Sequence, residues 1–206
     1  GDGFMSIETV RYIKTSVRAV AITFDDGPHT IYTPRVLDSL QKYNSHATWF
    51  ILGRLAQSRQ PILQDIAQGD NDIGVHAYDH VSLTTLSYGQ IISQLERTKA
   101  IIVEAAGRSW PYLRPPNGAY NETVLKAAGS IGFEYNVLWS VDPRDYESSA
   151  PQITTRVLTS LSPGAIIILH EVTSPTAKAL PVILSEMANH GYQAVTFSRL
   201  LELADA

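Results

Sequence analysis

The sequence predicts an α/β fold built on a parallel sheet, either closed into a barrel or wound on both faces, and three observations predict it. Short apolar runs alternate with amphipathic helix-like segments about seven times along the 206 residues, and repeated β-α alternation implies parallel pairing. The length suits one domain with a continuous core. His, Asp and Arg residues recur just after successive strand-like runs, the edge where barrels and open parallel sheets both gather their ligand sites.

Residues 1–16 read as an irregular lead-in and 17–206 as the folded domain. Residues 17–24 (VRAVAITF) are a buried strand ending in the turn Asp25-Asp26-Gly27-Pro28. Thr33 before Pro34 reads as a helix N-cap with Pro in the first turn, and residues 36–43 carry the amphipathic pattern. Residues 47–52 form a second apolar strand, 61–68 a helix closed by Gly69, and 72–75 a short strand running into His76. Over 88–106 helical spacing joins Ile91, Ile92, Leu95, Thr98, Ile101 and Ile102 until Gly107 stops it. Tyr112-Leu113 leads into Arg114-Pro115-Pro116, 121–128 form a helix, and 133–139 (FEYNVLW) a strand. Residues 151–161 are helical, 165–169 a wholly apolar strand, and 181–189 a helix opening on Pro181. Residues 193–196 make the last strand, with a closing helix from Ser198.

Composition removes several functional classes. A hydrophobic content of 44% with 17% charged residues is globular. The net charge of −4 argues against nucleic acid, whose binders usually present a basic face. With no cysteine, disulfides, thiolate metal sites and cysteine nucleophiles are excluded, and any metal must rest on imidazole and carboxylate. No apolar run approaches the ~20 residues of a membrane span. No basic region followed by an apolar stretch opens the sequence, so no signal peptide is expected within it. Neither a Gly-x-Ser-x-Gly elbow nor a phosphate-cradling glycine loop is present.

The polar residues at strand ends carry the chemistry. Asp25-Asp26, His76, Arg114, Asp142 with Asp145, and His170 follow five separate strands to one rim. Asp-Asp-Gly-Pro alone is good turn chemistry, but the apolar strand before it holds two adjacent carboxylates at the sheet edge, and a nearby cation explains such a pair. His76 and His80 stand at i and i+4, a spacing that lets two imidazoles chelate one ion and also a common one. With Asp26 they make a two-His, one-carboxylate set that leaves open positions for water and substrate. His170, after 165–169, reads either as a packed structural residue or as part of that rim; Arg114 reads either as a loop cation or as the partner of an ionised Asp. His29, His46 and His190 join no constellation and read as surface residues.

Taken together, Thr23-Phe24-Asp25-Asp26-Gly27-Pro28, His76-x-x-x-His80, Arg114-Pro115-Pro116-Asn117-Gly118, Asp142-Pro143-Arg144-Asp145-Tyr146 and Ile168-Leu169-His170 resemble the NodB-homology polysaccharide deacetylases, carbohydrate esterase family 4. Five motifs in this order cover most of the chain. The resemblance implies a distorted (β/α) barrel of about seven strands, with 17–206 as the catalytic domain. It implies metal ligation by Asp26, His76 and His80, with Zn2+ usual and Co2+ an alternative. Asp25 is then the general base, Arg114 its partner, His170 the general acid and Asp145 the group that orients it. Asn117 supplies a backbone N–H to the oxyanion, and Tyr146 and Ile168 lie near the acetyl methyl.

The implied reaction is removal of N-acetyl groups from an N-acetylglucosamine-containing polysaccharide, peptidoglycan or chitin, by a protein secreted or associated with the cell envelope. An O-deacetylase such as an acetylxylan esterase uses the same residues. A non-catalytic carbohydrate-binding protein would have lost its base or its acid, and both Asp25 and His170 are present. Ala77 stands where the family usually has Ser or Thr, so a side-chain hydrogen bond that braces that loop is expected to be missing. Neither the polymer nor the oligomeric state is legible.

Overall fold

The computed structural model describes residues 7–206; residues 1–6 of the expected lead-in lie outside the described residues. In chain order the elements are β1 Glu8–Val10, β2 Ala19–Asp25, α1 Tyr32–Lys42, β3 Thr48–Ile51, α2 Gly53–Ala56, α3 Gln60–Gln68, β4 Asp72–Val75 and α4 Tyr88–Ala106. They continue with β5 Tyr112–Leu113, α5 Glu122–Ser130, β6 Tyr135–Val137, α6 Ala150–Thr159, β7 Ile166–Leu169, α7 Ser174–Asn189, β8 Gln193–Ala194 and α8 Phe197–Glu202.

The strands run in the order β1-β6-β5-β4-β3-β2-β7, with β8 added to β2. Every pairing is parallel. β2, β3, β4 and β7 are buried along their whole lengths, as strands covered on both faces must be. Each large apolar side chain removed from water there contributes roughly 1.5–3 kcal/mol.

The barrel closes irregularly between β6 and β7. Beyond β6, Val141 bridges Ile167 in parallel, and Ile168 N–H donates to the Val141 carbonyl at 3.0 Å. At the opposite end the lead-in does the same work: Tyr12 bridges Ala165, and Ile13 N–H donates to the Gly164 carbonyl at 2.9 Å. Gly164 is needed there, because its φ is +82° and a Cβ would sit 1.7 Å from the Ile13 carbonyl oxygen. The stretch expected to be irregular thus supplies a strand, β1, and half of the seam.

Two boundaries differ from expectation for physical reasons. α1 begins at Tyr32, so Thr33 lies inside the first turn; the Nδ1 of His29 accepts from Ile31 and Tyr32 N–H, each at 3.1 Å, in place of a Thr33 cap. His29 is therefore a half-buried helix cap rather than a free surface residue. α7 starts seven residues before Pro181, with Pro175 in its first turn and Pro181 in its interior. Burial of Thr176, Ala179, Leu180, Ile183, Leu184 and Met187 on one face outweighs the backbone bond that Pro181 cannot make. α4 matches its expected span, held by a Ser87–Gln90 capping box and a left-handed Gly107.

Candidate active site

β2, β4, β5, β6 and β7 deliver the expected polar residues to one end of the barrel. Asp25 is the last residue of β2 and is buried; Asp26 follows with φ +73°, a conformation that Asp tolerates better than most residues. That turn directs two consecutive carboxylates at one place. His76 follows β4 and is buried, while the His80 side chain is about one-third exposed.

Asp26, His76 and His80 each offer a ligand atom, and the three atoms lie within 4.8 Å of one another. Asp26 Oδ1 is 3.2 Å from His76 Nε2 and 3.4 Å from His80 Nε2. His76 Nδ1 lies 2.6 Å from the Arg114 carbonyl, which can only accept, so Nδ1 carries the proton. The Nε2 of the neutral ring then points a lone pair at Asp26 Oδ1, a buried oxygen that has no hydrogen-bond donor. Lone pairs facing lone pairs repel unless a cation sits among them, and this donor set suits a divalent ion.

The proton affinities show the pull on positive charge, proton or metal ion, that such a cluster exerts. Burial opposes the charge of Asp26, yet His76, then His170 and His80, hold its carboxyl below the ordinary range. For His76 burial favours the neutral ring, but Asp25 and Asp26 raise it above an ordinary imidazole. Both directions report a pocket short of positive charge.

Arg114 is fully buried at the end of β5, and its guanidinium is fixed by four acceptors. Nη1 donates to Asp25 Oδ1 at 2.9 Å and to Thr23 Oγ1 at 2.6 Å, Nε to the Val137 carbonyl at 2.8 Å, and Nη2 to the Leu138 carbonyl at 2.8 Å. Removing one member of such a buried pair typically costs about 3–5 kcal/mol, because the other charge is left unpaired. Asp25 is the carboxylate that faces Arg114, and Asp26 the one that faces both imidazoles.

His170 leaves β7 with Nδ1 2.9 Å from Asp145 Oδ1 and Nε2 4.0 Å from Asp26 Oδ2. Asp145 is buried and accepts also from Thr176 Oγ1 at 2.7 Å and from the His170 backbone N–H. Burial works against charge on His170, but the Asp145 hydrogen bond and the carboxylates of Asp25, Asp145 and Asp26 prevail and push its pKa up to about 9. Asp142 stays outside this cluster: it is exposed, and its Oδ1 accepts from Arg144 N–H at 2.9 Å, supporting a left-handed Arg144.

Asn117, Tyr146 and Ile168, the residues expected around the substrate, lie within three positions of Arg114, Asp145 and His170 in the chain. Asn117 is exposed in a 3-10 turn with φ +59°, and Gly118 beside it packs on the Trp139 ring. Tyr146 is exposed, its ring edge-on to His170 at 5.9 Å between centroids. Ile168 is buried in β7, and Trp139 is half-buried with its ring 5.5 Å from the Arg114 guanidinium.

Sequence reasoning missed Gln94, Thr176 and Glu171. Glu171 is fully buried, accepting from Thr33 Oγ1 and from Trp49 Nε1, each at 2.7 Å. A Cβ on Gly27 would lie 2.3 Å from its Oε1, so only glycine lets the Asp25–Pro28 turn pass over it. Burial outweighs both hydrogen bonds and pushes the Glu171 carboxyl from 4.5 up to about 7. Between those values the folded chain keeps a proton that the unfolded chain has lost, so stability falls as pH rises through the window. The full effect is on the order of 3 kcal/mol at about 1.36 kcal/mol per pH unit. Glu171→Gln, which resembles the protonated side chain, is expected to flatten that decline. Thermal unfolding from pH 4 to 8 measures it, and a variant with the wild-type slope would disprove the raised proton affinity.

Known proteins resemble this chain in sequence and in fold. Residues 12–136 match the Polysaccharide deacetylase family. The chain is 32% identical over 200 residues to the peptidoglycan-N-acetylmuramic acid deacetylase PdaC of Bacillus subtilis (strain 168), covering 97% of this chain and 42% of that protein. It is 33% identical over 197 residues to the peptidoglycan-N-acetylglucosamine deacetylase PgdA of Listeria monocytogenes, covering 95% of this chain and 41% of that protein. The chain therefore spans about two-fifths of the length of these two relatives. The crystal structure of the Bc1960 peptidoglycan N-acetylglucosamine deacetylase superposes with a TM-score of 0.90 at 32% identity, covering 96% of this chain and 94% of that one. A parallel barrel seamed between β6 and β7, a rim of Asp, His and Arg, and a family match over more than half of its length place this chain in one family: it belongs to the polysaccharide deacetylases.

Proposed function

We propose that the chain is a metal-dependent N-deacetylase that releases acetate from an N-acetylglucosamine-containing polysaccharide of the cell envelope, peptidoglycan before chitin. What carries it is the meeting of three groups at one rim: the Asp26, His76 and His80 donor set, the Arg114-paired Asp25, and His170 backed by Asp145. The preference for peptidoglycan rests on the names of PdaC, PgdA and Bc1960. No helix among the described residues is long and apolar enough to cross a membrane.

A divalent ion held by Asp26, His76 and His80, zinc first and cobalt as a substitute, supplies Lewis-acid polarisation of the acetyl carbonyl and acidifies the attacking water. The protein's own residues do the rest. Asp25, fixed by Arg114, receives the water proton through the oxygen that Arg114 does not occupy. The backbone N–H at Asn117 is the expected donor to the oxyanion. Asp145 holds Nδ1 of His170, so the proton on Nε2 faces the rim and can be delivered to the departing sugar amine, a poor leaving group until protonated. With a pKa of about 9, His170 carries that proton at neutral pH. Tyr146 and Ile168 wall the space for the acetyl methyl.

Chelator-treated protein is expected to lose acetate release from N-acetylglucosamine oligomers and from peptidoglycan, and to regain it on adding zinc or cobalt. Activity that survives complete metal removal, verified by elemental analysis, would end this mechanism.

A further inference from the structure

We propose that Gln94, on α4, is a positioning residue that sets the spacing of His76 and His80 for their ion; this rests on the metal reading above. The two imidazoles are separated by the loop Ala77-Tyr78-Asp79, and that loop is not a relaxed helical turn. Ala77 is fully buried with φ +70°, a conformation that costs an L-residue roughly 1–2 kcal/mol and persists only where the surroundings enforce it.

The enforcement comes from two sides. From α2, Gly53 N–H donates to the Ala77 carbonyl and Arg54 N–H to the Tyr78 carbonyl, each at 3.1 Å. From α4, the Gln94 Oε1 accepts from Tyr78 N–H at 2.9 Å and from Asp79 N–H at 2.8 Å, while its Nε2 donates to Asp79 Oδ2 at 3.2 Å. Two backbone donors aimed at one oxygen fix the orientation of the amide and use both of its lone pairs. Gln94 is half-buried, one helical turn before the buried Thr98, whose Oγ1 donates to the Gln94 carbonyl at 2.9 Å. Thr98 and the Tyr78 ring leave no room for a Cβ on Gly53. α2, the loop and α4 are thus packed as one unit.

The bracing that Ala77 cannot provide through its own side chain is therefore supplied from α4. Without Gln94 two loop N–H groups lose their acceptor, and the loop is free to relax Ala77 and carry His80 away from His76. Groups that orient metal ligands typically change metal affinity by about 10–100-fold.

Gln94→Met keeps the length of the side chain and removes the oxygen. It is expected to bind zinc about 10–100-fold more weakly in a competition titration and to give an altered visible spectrum with cobalt. The metal-free variant should keep the wild-type circular dichroism and cooperative unfolding. Gln94→Glu paired with Asp79→Asn, which keeps the oxygen that accepts from the loop and turns the contact with residue 79 into an amide–carboxylate hydrogen bond, should restore most of the affinity; a purely structural role would lower stability without this pattern. Native zinc affinity in folded Gln94→Met overturns the proposal. Should Gln94→Met not fold, Gln94→Asn, which withdraws the oxygen by one methylene, is judged by the same criterion. Wild-type protein that binds neither ion overturns the metal reading itself, whereas wild-type binding with unaltered Gln94→Met overturns only the role of Gln94.

Discussion

Asp25→Asn is expected to lower kcat by about 10²–10⁴-fold while the protein still binds zinc. The two neighbouring carboxylates are not equivalent. Asp26 Oδ1 lies 3.2 and 3.4 Å from the two imidazoles, whereas Asp25 Oδ2 is 3.7 Å from His76 and Asp25 Oδ1 is taken by Arg114 at 2.9 Å. Asn keeps the shape and an oxygen for Arg114, but it cannot accept the water proton. Acetate release, elemental analysis and thermal unfolding on the same preparation separate the possible outcomes. A folded variant with an empty site would exchange the roles of the two aspartates, and one with near-native turnover would remove Asp25 as the base.

His170→Ala carries the second large effect, and its size should depend on the leaving group. An amine must be protonated to depart and an alkoxide much less so. The variant should therefore lose about 10²–10⁴-fold on N-acetyl substrates and far less on an O-acetyl ester. The pH profile gives an independent check. His170 must be protonated to act as the acid, so kcat on the amide should fall as pH rises through about 9. Asp145→Asn, by removing a carboxylate that raises this pKa, should move the fall to lower pH. Equal losses on amide and ester would remove the acid role and favour His170 as a structural neighbour of Asp145.

The polar rim was legible because it obeys a local rule. Each of Asp25, His76, Arg114 and His170 directly follows, or ends, an apolar strand. Parallel strands with covered faces bring their C-terminal ends together whatever the separation in sequence. Gln94 escaped notice because a polar residue on an amphipathic helix looks like part of a solvated face, and its two donors lie fifteen and sixteen residues away. Glu171, beside His170, has no local pattern to mark it; its partners Thr33 and Trp49 are 138 and 122 positions distant. Thr33 itself carried a helix-cap signal that the Glu171 hydrogen bond and the His29 ring made redundant.

By itself the sequence determined the alternation of strands and helices, the rim to which the reactive groups are carried, and the chemistry that cysteine-free ligands allow. These follow from periodicity and residue type, which are local properties. Only the tertiary structure decided how the barrel closes, through Val141 with Ile167 and Tyr12 with Ala165, and which carboxylate faces Arg114 and which the imidazoles. It alone also decided that α4 holds the loop between the two histidines. Those are contacts between residues far apart in the chain, set by strand register and side-chain packing, and neither leaves a periodic mark in the order of amino acids.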